Sequence, residues 1–220
     1  DNALTWKQFT DICVKIQSYF GMEKNNDKFY AIPYYELSSA IWSNNADYFD
    51  ENAMHSTISS DEFCETIEWL WDLMYTYKVV PKSTGDSAQN MFLARNAAFC
   101  WVGPYLTPMY HQQKMNYRLL PVPYNGENAD ARSTTWIGTL GLAISKSTKS
   151  PAAALALMKY LSLNESAQKD FYARGQLIPN LKSMALDTQT FLSEKDDSVA
   201  LWPQNRSILE NRKRFQQKFS

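Results

Sequence analysis

The stretch that decides the fold runs from residue 87 to residue 105 and reads Ser-Ala-Gln-Asn-Met-Phe-Leu-Ala-Arg-Asn-Ala-Ala-Phe-Cys-Trp-Val-Gly-Pro-Tyr. Its first part, Ser87 to Ala94, predicts a short helix. The apolar run from Ala97 to Val102 predicts a buried strand that breaks at Gly103-Pro104. A helix followed closely by a buried strand is typical of α/β proteins. This stretch therefore predicts an α/β fold.

Helical patterns recur on both sides of that stretch. Thr5 and Gln8 form a capping box ahead of an apolar stripe, and Ser59 and Glu62 form a second box ahead of the stripe from Phe63 to Met74. Further helices are predicted over 35–48, 105–113, 151–161, 165–174 and 183–192, and strands over 29–33, 117–123 and 136–145. Because helices outnumber strands and alternate with them, we expect a helix-rich domain with a small mixed sheet.

Composition restricts the classes of function. The chain has 220 residues, of which 45% are apolar and 20% charged, as is usual for a folded globular protein. A net charge of −1 argues against a nucleic-acid partner, and only 7 glycines disfavour a phosphate-cradling loop. No apolar run is long enough to cross a membrane, and the sequence shows no signal peptide. Since the chain begins at Asp1 rather than Met, we expect it to be a processed or trimmed piece.

The sequence lacks the motifs of catalysis and metal binding. Its three cysteines have no Cys-x-x-Cys spacing and each lies in an apolar run, so we expect small buried side chains at Cys13, Cys64 and Cys100. Neither His55 nor His111 has a second ligand at helical spacing, and no metal or other cofactor is expected. Nucleophile-elbow and phosphate-loop motifs are also missing. The chain is therefore expected not to be an enzyme.

Aromatic residues are abundant, with 7 Trp, 13 Tyr and 11 Phe. A Trp or Tyr ring combines an apolar face with a polar edge, which matches the two kinds of surface on a sugar ring. Rings beside chain breaks are expected to reach a cleft, and five candidates lie there: Tyr34, Tyr35, Trp101, Tyr105 and Trp136. Trp69 and Trp71, in contrast, lie in a helical stripe and are expected in the core or on the helix face.

Short motifs also follow one another in a characteristic order between residue 5 and about residue 180. They are Thr5-Trp6-Lys7-Gln8-Phe9, Ala31-Ile32-Pro33-Tyr34-Tyr35, Val79-Val80-Pro81, the run 91–99, Gly103-Pro104-Tyr105, Leu120-Pro121-Val122-Pro123, the run 141–149, and the run 168–179 with its Gly175 and Pro179. This ordered set resembles the maltose-binding-protein-like family of extracellular solute-binding proteins of ABC importers. Ala94, Arg95 and Tyr105 depart from the Gly, Lys and Trp usual in that family.

The resemblance implies a type II periplasmic-binding-protein-like lobe. Residues 1–136 and 177–220 would belong to the C-terminal lobe of a two-lobe protein, and 137–176 would cross the hinge into an N-terminal lobe that this chain lacks. By position, Tyr35 resembles the ligand tyrosine after the proline, Tyr105 the stacking aromatic after Gly-Pro, and Trp136 a hinge-side ring that faces the cleft. Trp202 resembles a late stacking aromatic. Trp42 completes the set of ligand-binding candidates.

The function implied is that of the non-catalytic substrate-binding component of an ABC importer. It would bind a carbohydrate, by preference an oligosaccharide, by aromatic stacking between the lobes and deliver it to the membrane subunits of the permease. The near-neutral charge and the many aromatic rings favour such a neutral ligand. The complete protein is expected to be a monomer outside the cytoplasm, in the periplasm or on the cell surface as a lipoprotein. Two alternatives stay open: a carbohydrate-active enzyme domain with two cleft carboxylates, and a fragment whose exposed rings meet a protein partner.

Overall fold

The computed structural model describes residues 3–23, 27–82, 87–118, 120–136, 141–173 and 180–185. Helices dominate these segments, and isolated β-bridges join some of the loops. Contacts divide the chain into two compact units. The first comprises Asp1–Val102 and Leu120–Gly138, and the second comprises Gly103–Leu119 and Thr139–Ser220.

Four helices belong to the first unit: α1 (Trp6–Gln17), α2 (Leu37–Trp42), α3 (Asp61–Tyr75) and α4 (Ala88–Leu93). A π-helical turn, Ser18–Glu23, continues α1. The predicted capping box is confirmed, since the Thr5 side chain accepts from the backbone of Gln8 and the Gln8 side chain accepts from the backbone of Thr5. The helix predicted over 87–94 is α4, and Ser87 is its N-cap, since its side chain accepts from the N–H of Asn90.

Two helix starts differ from the sequence-based prediction. The cap of α3 is Ser60 instead of Ser59, because the Oγ of Ser60 accepts the N–H of Phe63 at 3.2 Å. The helix predicted over 35–48 shortens to α2, because the carboxylate of Glu36 caps it at one end. At the other end Asn45 adopts a left-handed φ of 59° that no helix can continue through.

The strands predicted at 29–33 and 97–102 share one parallel bridge, between Tyr30 and Ala97, and Ala31 O also accepts from the N–H groups of Ala98 and Phe99 at 3.2 and 2.9 Å. Two causes stop the ladder there. The N–H of Ile32 donates to Val79 O at 3.1 Å, so it does not donate to the 97–102 segment. The next residue, Pro33, has no N–H to donate. The helix-rich character of the predicted fold is confirmed, while its sheet is reduced to bridges within the described residues.

Of the strand predicted over 117–123, Leu119 lies outside the described residues and the others are not in a strand, while the next residue, Tyr124, forms a parallel bridge with Thr5. Pro121 and Pro123 lack the N–H groups that a ladder needs. Of the strand predicted over 136–145, residues 137–140 lie outside the described residues, and 141–145 are not in a strand.

The core of the first unit is built where α1 and α3 meet the 29–35 segment. Phe9, Ile32, Leu73 and Val79 are buried together there. Cys13 is fully buried among them, and burial raises the pKa of its thiol to about 12, which confirms the expected small buried side chain. Cys100 is half-buried, and Cys64 is exposed, so the prediction is wrong for Cys64: it lies on the solvent side of α3.

The 125–128 loop is held against the first unit by one buried asparagine. The side-chain oxygen of Asn44 accepts from Asn125 Nδ2 at 2.8 Å and from Asn128 Nδ2 at 3.2 Å. Its own Nδ2 donates to the backbone oxygen of Glu62 at 2.7 Å and to the hydroxyl of Thr66 at 3.3 Å. Buried polar groups need such partners, so Asn44 links the polar loop to α3.

The second unit contains a 3₁₀ turn, Pro104–Leu106, followed by α5 (Thr107–Gln112), α6 (Pro151–Leu163), α7 (Glu165–Ala173) and α8 (Lys182–Ala185). Pro151 starts α6 as predicted. The helix predicted over 183–192 is described only as α8, and residues 186–192 lie outside the described residues, as does Gly175.

α6 is apolar on every side, yet none of its residues is buried. Leu157 is 58% exposed and Leu163 is 63% exposed. A helix that is apolar all round is normally an interior helix. α6 contacts α7. Elsewhere the described residues leave its apolar surface uncovered, although the surface is of the kind that other residues normally bury.

Candidate functional site

The two tyrosines that follow Pro33 face opposite ways. Tyr34 is 49% exposed, whereas Tyr35 is only 7% exposed. The next residue, Glu36, has an extended backbone, and successive side chains of an extended chain alternate between its two sides. Of this predicted pair, Tyr34 is the ring that the described residues leave open to a ligand.

Tyr35 lies at the centre of a cluster of aromatic rings. The centroid of its ring is 4.2 Å from that of Trp101 and 5.0 Å from that of Trp69, which meets it edge-on. Trp69 in turn stacks on Trp6 at 4.3 Å with an angle of 4° between the rings. Trp69 therefore packs against the core, as its helical stripe predicts.

The hydroxyl of Tyr35 is buried and has no hydrogen-bond partner among the described residues. Burial is the main cause that raises the pKa of Tyr35 well above its usual range, with smaller contributions from Cys13 and Glu36. The phenol therefore stays neutral. An unpartnered buried hydroxyl costs free energy, because it has lost its hydrogen bonds to water.

The N-terminus of α2 lies directly after these tyrosines. The Glu36 carboxylate accepts from Ser38 N at 3.0 Å and from Ser39 N at 2.6 Å. Partial burial by itself would raise the pKa of Glu36, but the hydrogen bonds from Ser39 and Ser38 outweigh it and hold the pKa below its usual value. Tyr34 has a pKa raised by partial burial first, and then by Glu36 and Tyr48. A carboxylate and an exposed phenol ring thus lie side by side.

Two buried serines, Ser39 in α2 and Ser43 at its C-cap, bind the backbone that leads to Trp136. Ser43 Oγ donates to Thr134 O at 3.1 Å, and the N–H of Thr134 donates to Ser43 Oγ at 3.0 Å. One helical turn earlier, Ser39 Oγ accepts the N–H of Trp136 at 3.1 Å. The backbone is held by both serines, while the Trp136 indole remains 58% exposed.

Two other candidates in the first unit are half-buried. Trp42 donates from its indole N–H to Asp47 Oδ1 at 3.1 Å and packs beside Ile41 and Phe63. Trp101 packs against the core and on Tyr35. Both rings already have protein partners, so each can offer a ligand only part of its surface.

Tyr105 belongs to the second unit, in the 3₁₀ turn Pro104–Leu106, and is 61% exposed. Its ring lies over Gly103, where an added Cβ would come within 2.7 Å of Tyr105 Cδ1. The glycine thus leaves room for the ring in this position. The last candidate, Trp202, lies outside the described residues.

The structure therefore attaches two exposed candidate rings, Tyr34 and Trp136, to the same short helix. Tyr34 precedes its capping residue, and Trp136 is held through Ser39. Sequence analysis did not identify Ser39, Ser43 or the capping role of Glu36. A serine in a predicted helix carries no signal that its partner lies more than 90 residues away.

The described residues show a cavity elsewhere, on the outer surface of α3. It has a volume of about 320 Å³ and is lined by Ile67, Glu68, Trp71 and Asp72. None of these is a predicted site residue. In the described part of the chain, no three His, Cys, Asp or Glu side chains are grouped as a metal site would require. No described helix is both long and apolar enough to span a bilayer.

Comparison with known proteins gives a family and a fold. The family model for bacterial extracellular solute-binding proteins matches residues 3–168. T. maritima MalE3 bound to maltose superposes with a TM-score of 0.70 at 21% identity, over 91% of this chain and 53% of that one. Among curated protein sequences, no match is found.

Two further solved structures are similar. The maltose/maltodextrin-binding domain MalE of Bdellovibrio bacteriovorus, bound to maltotriose, has a TM-score of 0.70 at 17% identity over 96% of this chain and 55% of that one. An ABC substrate-binding protein of Listeria monocytogenes in complex with cycloalternan has a TM-score of 0.69 at 18% identity, over 91% of this chain and 51% of that one. These likenesses show the type II periplasmic-binding-protein fold. The chain spans about half the length of the structures it matches.

Proposed function

The chain belongs to the family of bacterial extracellular solute-binding proteins, and from that premise we propose that it forms part of the substrate-binding component of an ABC importer for a carbohydrate. The ligand class is an oligosaccharide. Structures with the same fold hold maltose, maltotriose and cycloalternan, all of them built from neutral sugar rings. The net charge of −1 and the 14% aromatic content suit such a ligand.

The observation that carries the proposal is the pair of exposed rings beside α2: Tyr34, two residues before its N-cap, and Trp136, whose backbone is bound to Ser39. A sugar ring stacks its C–H face on an aromatic face, and its hydroxyls need polar groups at the edge. The Tyr34 hydroxyl provides one such group beside its exposed ring. The hydrogen bond from Trp136 N to Ser39 fixes the backbone of the second ring before a ligand arrives, which lowers the entropy lost on binding.

The remaining candidates receive different roles in this proposal. Tyr35 and Trp101 are retained from the sequence analysis: Trp101 offers the part of its ring that Tyr35 leaves uncovered, and the buried Tyr35 hydroxyl could meet a ligand hydroxyl only if the residues over it move. Trp42 contributes the uncovered part of its indole. Tyr105 and Trp202 are retained as stacking residues from the sequence resemblance, and the 61% exposure of Tyr105 is compatible with that role.

We also propose that residues 1–136 and 177–220 belong to a C-terminal lobe, and that 137–176 belong to an N-terminal lobe. The uncovered apolar surface of α6 supports this assignment, because residues of a second lobe would bury it. The share of 51% to 55% that the chain covers in the solved structures leaves room for such a lobe.

In this proposal the protein binds its ligand without changing it and passes it to the membrane subunits of the permease. It acts as a monomer outside the cytoplasm, in the periplasm or anchored to the cell surface as a lipoprotein. The family supports the location and the binding role, since its members are extracellular solute-binding proteins.

Isothermal titration of the two-lobe protein with maltotriose and other oligosaccharides tests the proposal. We expect Trp136→Ala and Tyr34→Ala each to weaken binding by about 1–3 kcal/mol, the range known for stacking a flat ring on an aromatic side chain. Phe49→Ala is the matched control, because Phe49 is 56% exposed but lies in a separate hairpin. Equal affinity for both site variants and the wild type would contradict the proposed site.

A further inference from the structure

The outer face of α3, defined by Ile67, Glu68, Trp71, Asp72 and Tyr75, plays no part in the site proposed above. Its three apolar side chains lie at intervals of four residues, so they form one row along the helix. Trp71 is 56% exposed, and Ile67 and Tyr75 are more than 40% exposed. Large side chains in a contiguous exposed row mark a surface for interaction more often than scattered ones do.

One side of the Trp71 indole is covered and the other is open. Tyr75 stacks on the indole with 4.8 Å between the ring centroids. The cavity of about 320 Å³ is lined by Ile67, Trp71 and the two carboxylates, but not by Tyr75. It therefore lies toward Ile67, on the side of the indole that Tyr75 leaves free. A flat group entering there meets an aromatic face together with Glu68 and Asp72.

The charged side chains of α3 are all acidic. Between Asp61 and Tyr75 it carries five carboxylates and no lysine or arginine. Asp61 and Glu62 lie at the helix N-terminus, where negative charge is favourable, and Glu65 faces the amides of Asn44 and Asn125. Within the described part of the chain, Glu68 and Asp72 have no cationic partner.

One end of the outer face already holds a cation. Lys82 Nζ lies 5.0 Å from the centre of the Tyr75 ring, a cation–π contact from the chain's own lysine. The part of the face at Trp71 has the larger ring and the two nearby carboxylates, but among the described residues it has no cation. A neutral sugar would gain little from these negative charges, whereas a guanidinium can stack on the indole and bind a carboxylate.

We propose that the outer face of α3 is a docking surface for a basic segment of a protein partner, with an arginine seated between Trp71, Glu68 and Asp72. The arginine plane stacks on the open side of the indole. Ile67 contacts its aliphatic stem, and the carboxylates accept its N–H groups. This surface acts independently of carbohydrate binding at Tyr34 and Trp136.

The test uses the full 220-residue chain and a blocked tripeptide, acetyl-Gly-Arg-Gly-amide, with the citrulline tripeptide as the neutral control of the same shape. Binding is followed by the indole N–H resonances in a ¹H–¹⁵N spectrum, where Trp71→Phe identifies the Trp71 signal. We expect the arginine peptide to shift that signal with saturation and the citrulline peptide to shift it at least five-fold less. Raising the salt concentration should weaken the binding.

Matched variants then test whether the arginine peptide binds at the outer face of α3. The double change Glu68→Gln with Asp72→Asn should weaken arginine-peptide binding at least five-fold, and Trp71→Ala should remove most of it. Phe49→Ala and Glu51→Gln change an equally exposed ring and an exposed carboxylate elsewhere, and should leave it unchanged. Equal shifts by the two tripeptides, no shift by either, or a saturating shift of the Trp71 signal by maltotriose alone would each overturn the proposal.

Discussion

The backbone N–H of Trp136 donates a 3.1 Å hydrogen bond to the side-chain oxygen of Ser39 across 97 residues of chain. Ser39 is fully buried, so water cannot replace this bond on the serine. The position of an exposed tryptophan is thus decided by an interior serine on another part of the chain.

Replacing Ser39 by alanine should therefore affect both stability and the Trp136 ring. We expect the free energy of unfolding to fall by about 1–2 kcal/mol, because the N–H of Trp136 loses its acceptor. Carbohydrate affinity should fall as well. Urea denaturation and calorimetry measure the two effects. Ser38→Ala is the control: it also removes a serine hydrogen bond from α2, the one to Tyr48, but leaves Trp136 in place. A loss of affinity as large in Ser38→Ala would contradict this role of Ser39.

The sequence predicts contacts that lie within one helical turn better than contacts between distant segments. Thr5 and Gln8 cap α1 from positions three residues apart, and their residue types and spacing predicted that cap. The bond between Ser39 and Trp136 has no local signature. The Tyr34 and Tyr35 pair is only partly predictable. The alternation of side chains along an extended segment predicts that one ring is buried, but it does not say which one.

Strand prediction failed for a related reason. The sequence predicted strands at 29–33 and 97–102 but not their pairing, and the structure joins them in a parallel bridge between Tyr30 and Ala97. A ladder also depends on which N–H each carbonyl meets, and Ile32 is diverted to Val79. Nothing in the composition of either run contains that information.

Tyr35→Phe should leave the protein as stable as the wild type or make it more stable. The change removes a buried hydroxyl without a hydrogen-bond partner and keeps the ring contacts with Trp69 and Trp101. Thermal denaturation measures the effect. If the hydroxyl also meets a ligand hydroxyl, carbohydrate affinity will fall while stability does not. A clear loss of stability would mean that the Tyr35 hydroxyl has a partner in the folded protein.

Asn44→Ala should destabilise the first unit by about 1–3 kcal/mol. The change removes the side-chain oxygen that accepts from the half-buried Asn125 and Asn128 amides, and it also removes the amide that donates to the backbone oxygen of Glu62 and to the buried Thr66. Chemical denaturation gives the loss, and hydrogen exchange should show faster exchange in the 125–134 loop. Asn52→Ala, at an exposed position, should stay within about 0.5 kcal/mol of the wild type. Similar stability of the two variants would contradict the anchoring role of Asn44.

The Glu36 cap should make stability depend on pH in the acid range. Its pKa is lowered in the folded protein, so the ionised carboxylate stabilises the fold at pH above its unfolded value of 4.5. This contribution is lost as the pH falls through the lower folded value. Urea denaturation of wild type and Glu36→Gln should show a stability difference at pH 7 that shrinks toward pH 3. A difference that stays constant over this interval would contradict the assignment.

The 220-residue chain by itself should bind maltotriose more weakly than about 1 mM, which corresponds to roughly 4 kcal/mol. In the proposed two-lobe arrangement, half of the groups that face the sugar are missing from this chain. Isothermal titration against a panel of oligosaccharides measures the affinity. Micromolar binding by the 220-residue chain would instead place a whole site within the present residues and contradict the two-lobe proposal.

The exposed surface of α6 should cause self-association of the 220-residue chain. Leu157 and Leu163 present apolar side chains to water, and such surfaces aggregate. Leu157→Lys should lower the sedimentation coefficient of the chain toward the monomer value. The same change should destabilise the two-lobe protein that we propose, because a second lobe would bury this leucine. An unchanged sedimentation profile in the isolated chain would show that α6 does not drive association.

The pairing of Ser39 and Ser43 with residues 134–136 also has a kinetic consequence. Contacts between segments 91 and 97 residues apart close large loops, and such contacts slow folding. The stretch that carries Trp136 can dock only after most of the first unit has been synthesised and collapsed.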